Sequence, residues 1–347
     1  MTRAPRVDVV VPTVGRSSLR ALLASLDAQD APAPEAVVVV DDRAEPGDPL
    51  ELGELSPELG ARVRVVRGPA SGPAAARNAG WAEAASEWVA FVDDDVVLPR
   101  DWLRRLRADL AACDDGVAGS QGRVRVPLPE GRRPTDWERN VKGLEDAAWA
   151  TADMAYRRCV LEQLGGFDER FHRAYREDAD LALRALAAGY RLVRGRRRAT
   201  HPVRPADPWV SVRLQAGNGD DALMAGVHGS DWRRRAGAPA GRRPVHVAVT
   251  ACGVAALAAA ALGRRRVAAT GAALWGAGVA ELAWARIAPG PRSRDEVARM
   301  VATSALIPAA ATWSWLAGLV RHRNERLLPP PRPARTVRLP DDEVAAR

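Results

Sequence analysis

Along the first 200 positions apolar residues fall in short continuous runs separated by segments of helical spacing. Val7–Val11 is a β-branched run closed by Pro12, and Ala36–Val40 is a second, ending at Asp41-Asp42. Arg62–Val66 reads as a third strand and Trp88–Val92 as a fourth, ending at Asp93-Asp94-Asp95. Between the runs the period changes. Ser17 or Ser18 can cap a helix whose Leu19, Leu22, Leu23 and Leu26 share one face. Gly72-Pro73 opens an alanine-rich helix to about Ala85, with proline in the first turn, where its missing N–H costs least. A further helix is expected from about Asp101 to Ala112. Continuous apolar strands alternating with helices predict an α/β fold, with a mostly parallel sheet covered on both faces. Ligands of such sheets bind beyond the carboxyl ends of the strands, and both acidic clusters fall there.

After position 200 the pattern changes. Residues 203–244 are rich in Pro, Gly and Arg, and three apolar stretches follow. Val245–Leu262 has 18 residues and one His, Val267–Ala285 has 19 and one acid, Glu281, and Val301–Val320 has 20 and no charge. Each approaches the ~20 residues that span a bilayer. Trp275, Trp284, Trp313 and Trp315 supply rings suited to a membrane interface. Residues 328–347 are Pro- and Arg-rich with a short acidic patch, the composition of a disordered tail. The expected organisation is a catalytic domain over 1–235, a hydrophobic helical membrane-associated region over 236–327 and a tail over 328–347.

Composition sharpens this picture. Of 347 residues 27% are charged, which excludes disorder of the whole chain, and three Cys without a CxxC pair exclude a disulfide scaffold or a Cys-based zinc site. Lys142 is the single lysine, a bias toward arginine that leaves the arginine count alone saying little about nucleic acid. Residues 236–347 hold 16 Arg and 7 acids, against 35 basic and 36 acidic residues in 1–235. The positive excess therefore sits with the apolar stretches and points to an anionic surface. No signal peptide is expected, because residues 1–6 run directly into the first strand.

Three acidic groups are candidates for chemistry. Asp93-Asp94-Asp95 sets three carboxylates side by side, a repulsion that a cation relieves; oxygen ligands of this kind suit Mg²⁺ or Mn²⁺ with a substrate diphosphate, and a solvated turn is the bland alternative. In an extended segment Asp93 and Asp95 point one way and Asp94 the other. Asp41-Asp42 can accept hydrogen bonds from a nucleobase or ribose, or simply end a strand. Asp178 of Glu177-Asp178 shares a helix face with Leu181, Ala182, Ala185 and Leu186, which places it at the edge of the core looking into a cleft, or else as a simple helix cap. Asp180 and Arg184 read as a solvated surface pair. Arg77 lies one turn into the alanine-rich helix, where it can meet a diphosphate. His201 is either structural or a metal ligand.

Taken in order, these pieces resemble the family 2 glycosyltransferases of GT-A fold. The matching segments are Val9-Val10-Val11-Pro12-Thr13, Val38–Asp42, Ala76-Arg77-Asn78-Ala79-Gly80, Phe91-Val92-Asp93-Asp94-Asp95, Gly165-Gly166-Phe167-Asp168-Glu169 and Glu177-Asp178-Ala179-Asp180-Leu181. They cover about residues 7–202. The resemblance implies that Asp41 contacts the donor base with Asp42 nearby. It places Asp93 near the ribose and Asp95 on a divalent metal, Mn²⁺ or Mg²⁺, with His201 as a further metal or diphosphate contact. It makes Asp178 the general base of an inverting transfer. Pro12, Thr13, Arg16, Arg77, Asp94 and Glu177 join the expected substrate-binding set. Asp153, where the family often has Asn or another small polar residue, is the expected acceptor-side member.

The implied partners are a nucleotide-sugar donor, a glycan or lipid-linked acceptor and membrane lipids, with no nucleic acid. The implied location is the cytoplasmic face of a bacterial cell membrane. A spanning hairpin of the first two stretches would put Arg264–Arg266 on the far side, against the positive-inside tendency; a shallow or re-entrant hairpin avoids this. A catalytically silent sugar-nucleotide-binding or scaffold protein is the alternative from another class, and the intact acidic triplet and Glu-Asp pair speak against it.

Overall fold

The computed structural model describes residues 4–325; the expected tail over 328–347 lies outside the described residues. Seven strands form one sheet: β1 (Val7–Thr13), β2 (Ala36–Asp41), β3 (Val63–Arg67), β4 (Trp88–Val92), β5 (Val117–Arg125), β6 (Asp153–Arg157) and β7 (Arg191–Thr200). The helices within this part are α1 (Ser18–Asp27), α2 (Pro57–Gly60), α3 (Pro73–Ala82), α4 (Trp102–Ala111), α5 (Asp136–Lys142), α6 (Arg158–Leu164), α7 (Glu177–Ala187), α8 (Val210–Arg213), α9 (Gly217–His228) and α10 (Trp232–Arg235). Three long helices follow: α11 (Arg243–Ala261), α12 (Arg265–Ile287) and α13 (Arg294–Arg321).

The strand order is β3-β2-β1-β4-β6-β5-β7, and only β6 runs against the rest. The sheet is thus mostly parallel, as the GT-A resemblance implies. Alternate residues of β1 feed two cores: Val7, Val9 and Val11 pack with the four leucines of α1 and with α4, while Val10 packs with Ala74 and Ala76 of α3 and Leu181 of α7. Burial on both faces is why β1, β2 and β4 read as unbroken apolar runs. β3 is the exception; as an edge strand it is half exposed. From β1 the chain winds outward to β3, then returns to β4 on the other side of β1. The crevice between the ends of β1 and β4 is therefore a topological switch point.

The strands β5 and β6 carry no apolar run and escape the sequence pattern. β7 runs straight through the basic run Arg196–Arg198. Arg197 is wholly buried there because Asp153 lies 2.7 Å away and Asp109 3.4 Å away. Gly122 on β5 makes room for that pair, since a Cβ at this position would lie 1.9 Å from Asp153 Oδ2.

Residues 203–244 fold into α8–α10, and α9 receives α13. The two cross so closely that a Cβ on Gly318 would sit 2.6 Å from Gly219 Cα. Among the described residues α11 and α13 are long and apolar enough to cross a membrane. The expectation of three such segments is corrected: α12, rich in Ala and Gly with Glu281 and Arg286 inside it, does not qualify. In α13, 39% of the most apolar window is buried within the protein, against 17% in α11, so α13 is the helix that docks.

Candidate functional site

One cavity of about 990 Å³ opens at the switch point. Its walls come from the end of β1, the residues after β4, the start of α3 and the start of α7, and Trp137 and Asn140 of α5 line it as well. Asp94 builds the floor. It is buried, takes the Thr13 hydroxyl at 2.6 Å on Oδ2 and Arg16 Nη1 at 2.7 Å on Oδ1. This clip ties the β1 loop to the β4 loop. The chain turns here, with the Val96 N–H donating to the Asp93 carbonyl at 3.3 Å, so a turn and not the alternation of an extended segment brings Asp93 and Asp95 together.

Asp93, Asp95 and His201 bring their ligand atoms within 4.8 Å of one another. His201 Nε2 lies 3.3 Å from Asp95 Oδ1, and Arg204 Nε lies 2.7 Å from Asp95 Oδ2. Burial, and then the charge of Asp93, push the Asp95 carboxyl above its usual range. Two carboxylates and an imidazole lining the cavity fit a divalent cation such as Mn²⁺ or Mg²⁺ that also takes oxygens from a ligand. Arg204 is a site residue that the sequence pattern gives no reason to single out.

Arg77 has a different role from the one its helix position suggests. Its buried guanidinium donates to Glu177 Oε1 at 2.8 Å and to Asp93 Oδ1 at 2.9 Å, and lies 5.7 Å from the Phe167 ring. It is thus committed to two carboxylates and crosslinks α3, the β4 loop and α7. Burial, and then Asp178, push the Glu177 carboxyl up, against the pull of Arg77.

Asp178 lines the cavity from the first turn of α7. The backbone N–H of Ala179 donates to its Oδ1 at 2.7 Å. Burial raises its pKa, while that N–H and the charges of Arg77 and Arg176 act the other way. Arg176, just before the helix, holds a left-handed φ of 82°, a conformation that costs a non-glycine residue of order 1–3 kcal/mol. The loop before it is held against Gly72, where a Cβ would come within 2.2 Å of the His172 carbonyl oxygen.

The remaining expected residues divide. Pro12, Thr13, Arg16 and Asp42 line the cavity. Asp42 also accepts the backbone N–H of Ala70 at 2.7 Å and of Gly72 at 3.3 Å, bracing the loop that leads into α3. Asp41 is turned elsewhere: Arg43 grips both its oxygens at 2.8 and 2.7 Å and holds its carboxyl below the usual range. Asp153 is corrected outright. It is wholly buried, bonded to Trp102 Nε1 at 2.9 Å and Arg197 Nε at 2.7 Å, and does not reach the cavity. Asp180 is no surface residue either. It is buried between Arg184 and His228, whose Nε2 lies 2.7 Å away from a helix 48 residues on.

A family model described as Glycosyl transferase family 2 matches residues 8–181. The pre-mycofactocin glycosyltransferase of Mycobacterium tuberculosis (strain ATCC 25618 / H37Rv) is 34% identical over 204 residues, 54% of this chain and 40% of that protein. The succinoglycan biosynthesis protein ExoM of Rhizobium meliloti (strain 1021) is 35% identical over 122 residues, 35% of this chain and 39% of that protein. The chain spans about two-fifths of the length of these curated relatives. Among solved structures, S. aureus TarS 1-349 in complex with UDP-GlcNAc aligns over 92% of both chains at 15% identity and a TM-score of 0.46. GalNAc-T7 with UDP, GalNAc and Mn2+ aligns over 68% of this chain and 55% of that one at 16% identity, with a TM-score of 0.46.

Proposed function

The chain belongs to glycosyl transferase family 2, and we propose that it moves a sugar from a nucleotide-sugar donor to an acceptor hydroxyl with inversion at the anomeric carbon. The observation that carries this reading is the meeting of Asp93, Asp95 and His201 with Asp178 in one cavity large enough for a donor and part of an acceptor. The relatives named for mycofactocin and succinoglycan biosynthesis support a role in building glycans.

In this reading Asp93, Asp95 and His201 hold a divalent cation, with Asp94 keeping the two outer carboxylates correctly turned. A cation bound there would offset the negative charge that grows on the departing diphosphate. Asp42, Pro12, Thr13 and Arg16 contact the donor, and Asp42 takes the place that the resemblance gave to Asp41. Asp178 accepts the proton of the acceptor hydroxyl. The acceptor oxygen bonds to the anomeric carbon, the bond from that carbon to the diphosphate breaks, and its electron pair leaves with the nucleoside diphosphate. Attack from the face opposite the leaving group inverts the centre. Arg77 and Glu177 line the same cavity and, bonded to each other and to Asp93, hold α7, and with it Asp178, against the Asp93 loop.

The apolar helices α11 and α13 support a protein held at a membrane and an acceptor that is lipid-linked. The test of the transfer itself is a screen of UDP-, GDP- and dTDP-sugars for Mn²⁺-dependent donor hydrolysis by the purified chain. Hydrolysis of one donor that Asp178→Asn retains while losing transfer supports the reading. Failure to bind any of the three nucleotides favours a protein without this activity.

A further inference from the structure

The cavity does not end at the candidate base. It continues to Arg242, Arg243 and His246, at the start of α11, and on the way its wall is cationic. Arg176 Nε donates to Asp221 Oδ1 at 2.9 Å, and Arg233 Nη2 donates to the other oxygen of the same carboxylate. Both guanidinium groups lie over the Trp232 ring, at 4.8 and 4.5 Å. Arg243 lies 5.1 Å from the Trp315 ring of α13 and has no carboxylate partner among the described residues.

Two guanidinium groups therefore share one carboxylate, and Arg243, whose charge acts on Arg233, adds a third without one among the described residues. Arg233 Nε is buried without a hydrogen-bond partner. Burial, with the charge of Arg243 added to it, holds Arg233 below the ordinary arginine range. A half-buried wall in which like charges outnumber their partners is completed by an anion. Guanidinium forks match phosphate oxygens in pairs, and the arginines on their aromatic platforms are held ready for that contact.

The surroundings indicate what carries the anion. Arg243 is the first residue of the apolar helix α11, whose Val245, Val254 and Leu257 face outward. The cationic wall thus lies between the candidate base and an exposed apolar helix face. We propose that Arg176, Arg233 and Arg243 hold a phosphate of the acceptor, and that the apolar chain bearing this phosphate runs along α11. The acceptor class is then a hydroxyl-bearing group joined through phosphate to a lipid. This assignment rests on the glycosyl-transfer reading, since it uses the same cavity and the same base.

The test uses the full chain in detergent micelles, titrated with farnesyl phosphate, farnesol and inorganic phosphate. Trp232 and Trp315 beside the arginines make tryptophan fluorescence a direct readout. Farnesyl phosphate should bind more tightly than farnesol or inorganic phosphate. Arg243→Gln should weaken it by at least about tenfold, the loss expected for one charged hydrogen-bonding group, and leave farnesol unaffected. Arg233→Lys, which keeps the charge beside Asp221, should weaken it less than Arg233→Gln, which removes that charge. Equal binding of farnesol and farnesyl phosphate, or unchanged binding in Arg243→Gln, overturns the phosphate site. Inorganic phosphate as tight as farnesyl phosphate overturns the lipid assignment. An equal fall in affinity for the donor nucleotide, UDP, GDP or dTDP, whichever binds, would assign these arginines to the donor and also sink the proposal. Donor hydrolysis in the same preparations judges the transfer reading separately: its absence with farnesyl phosphate binding intact would fault that reading and leave the phosphate site standing.

Discussion

Arg77 Nη1 and Glu177 Oε1 meet at 2.8 Å although 100 residues separate them. Both side chains are buried, and Asp93 takes the second arm of the guanidinium at 2.9 Å. A buried charge that loses its partner keeps its desolvation penalty. Arg77→Met should therefore destabilise the protein by about 3–5 kcal/mol, measured by chemical denaturation. Arg77→Met combined with Glu177→Leu should lose less than the sum of the two single variants, because the second change removes the stranded carboxylate. Additive losses would mean that the pair is not coupled.

The cation site makes its own prediction. Asp95→Ala should abolish donor turnover, and excess EDTA should do the same to the unaltered protein. His201→Ala should weaken Mn²⁺ binding by more than the 10–100-fold typical of losing a partner that only supports a ligand. Paramagnetic resonance of Mn²⁺ reads this without reference to activity. Full activity of Asp95→Ala, or undiminished activity in EDTA, would remove the metal from the mechanism.

Asp178 links burial to pH. A general base works only when deprotonated, and burial places the Asp178 pKa above the ordinary aspartate value of 3.8. The acid limb of kcat/KM should accordingly lie above that value, with activity falling as pH drops through it. Arg176 acts to lower this pKa, so Arg176→Gln should move the limb to still higher pH. Asp178→Asn should keep donor binding and lose transfer by about 10²–10⁴-fold. An acid limb that Arg176→Gln leaves in place would show that another group is titrating.

What the sequence revealed follows the physics of each element. β1, β2 and β4 are buried on both faces, so their valine runs stand out, and the acids at their ends mark the switch point. β5 and β6 are buried by compensation instead, and in the edge strand β7 only alternate residues of the second half are buried, Arg197 among them. Gly122 gives way to Asp153, Asp153 neutralises Arg197, and no periodic pattern records such a bargain. The same reason hid Asp180, whose partner His228 lies on α9, and misplaced Asp153 as an acceptor contact. Asp93, Asp95 and Asp178 were legible because their acidic clusters end an apolar run or open a helix on its apolar face, in the order that the family resemblance requires. Arg204 and Arg233 were not, because in this chain another arginine is no signal; only the fold shows which ones face the cavity.

The C-terminal helices are bound to the catalytic part by named contacts. Arg286 of α12 pairs with Asp136 of α5 at 2.8 Å and also donates to Ser211, Thr303 and Ser304. Glu296 at the start of α13 accepts the Asp136 N–H at 2.8 Å. A variant ending at Arg235 would strip α13 from α9 and leave Asp136 without its arginine, so its denaturation midpoint should fall below that of the full chain. Arg286→Met tests the same joint more gently and should cost about 1–3 kcal/mol. Beyond this joint, α11 and α13 still present Val254, Leu257, Trp313 and Val320 outward. Burying such a face in a bilayer is favourable through apolar area and is insensitive to salt, whereas an attachment through arginines alone is screened at high ionic strength. The full-length protein should therefore stay in the membrane pellet through a high-salt wash and be released by detergent. Recovery in the soluble fraction without detergent would make α11–α13 a helical accessory domain and leave their exposed apolar face to a protein partner.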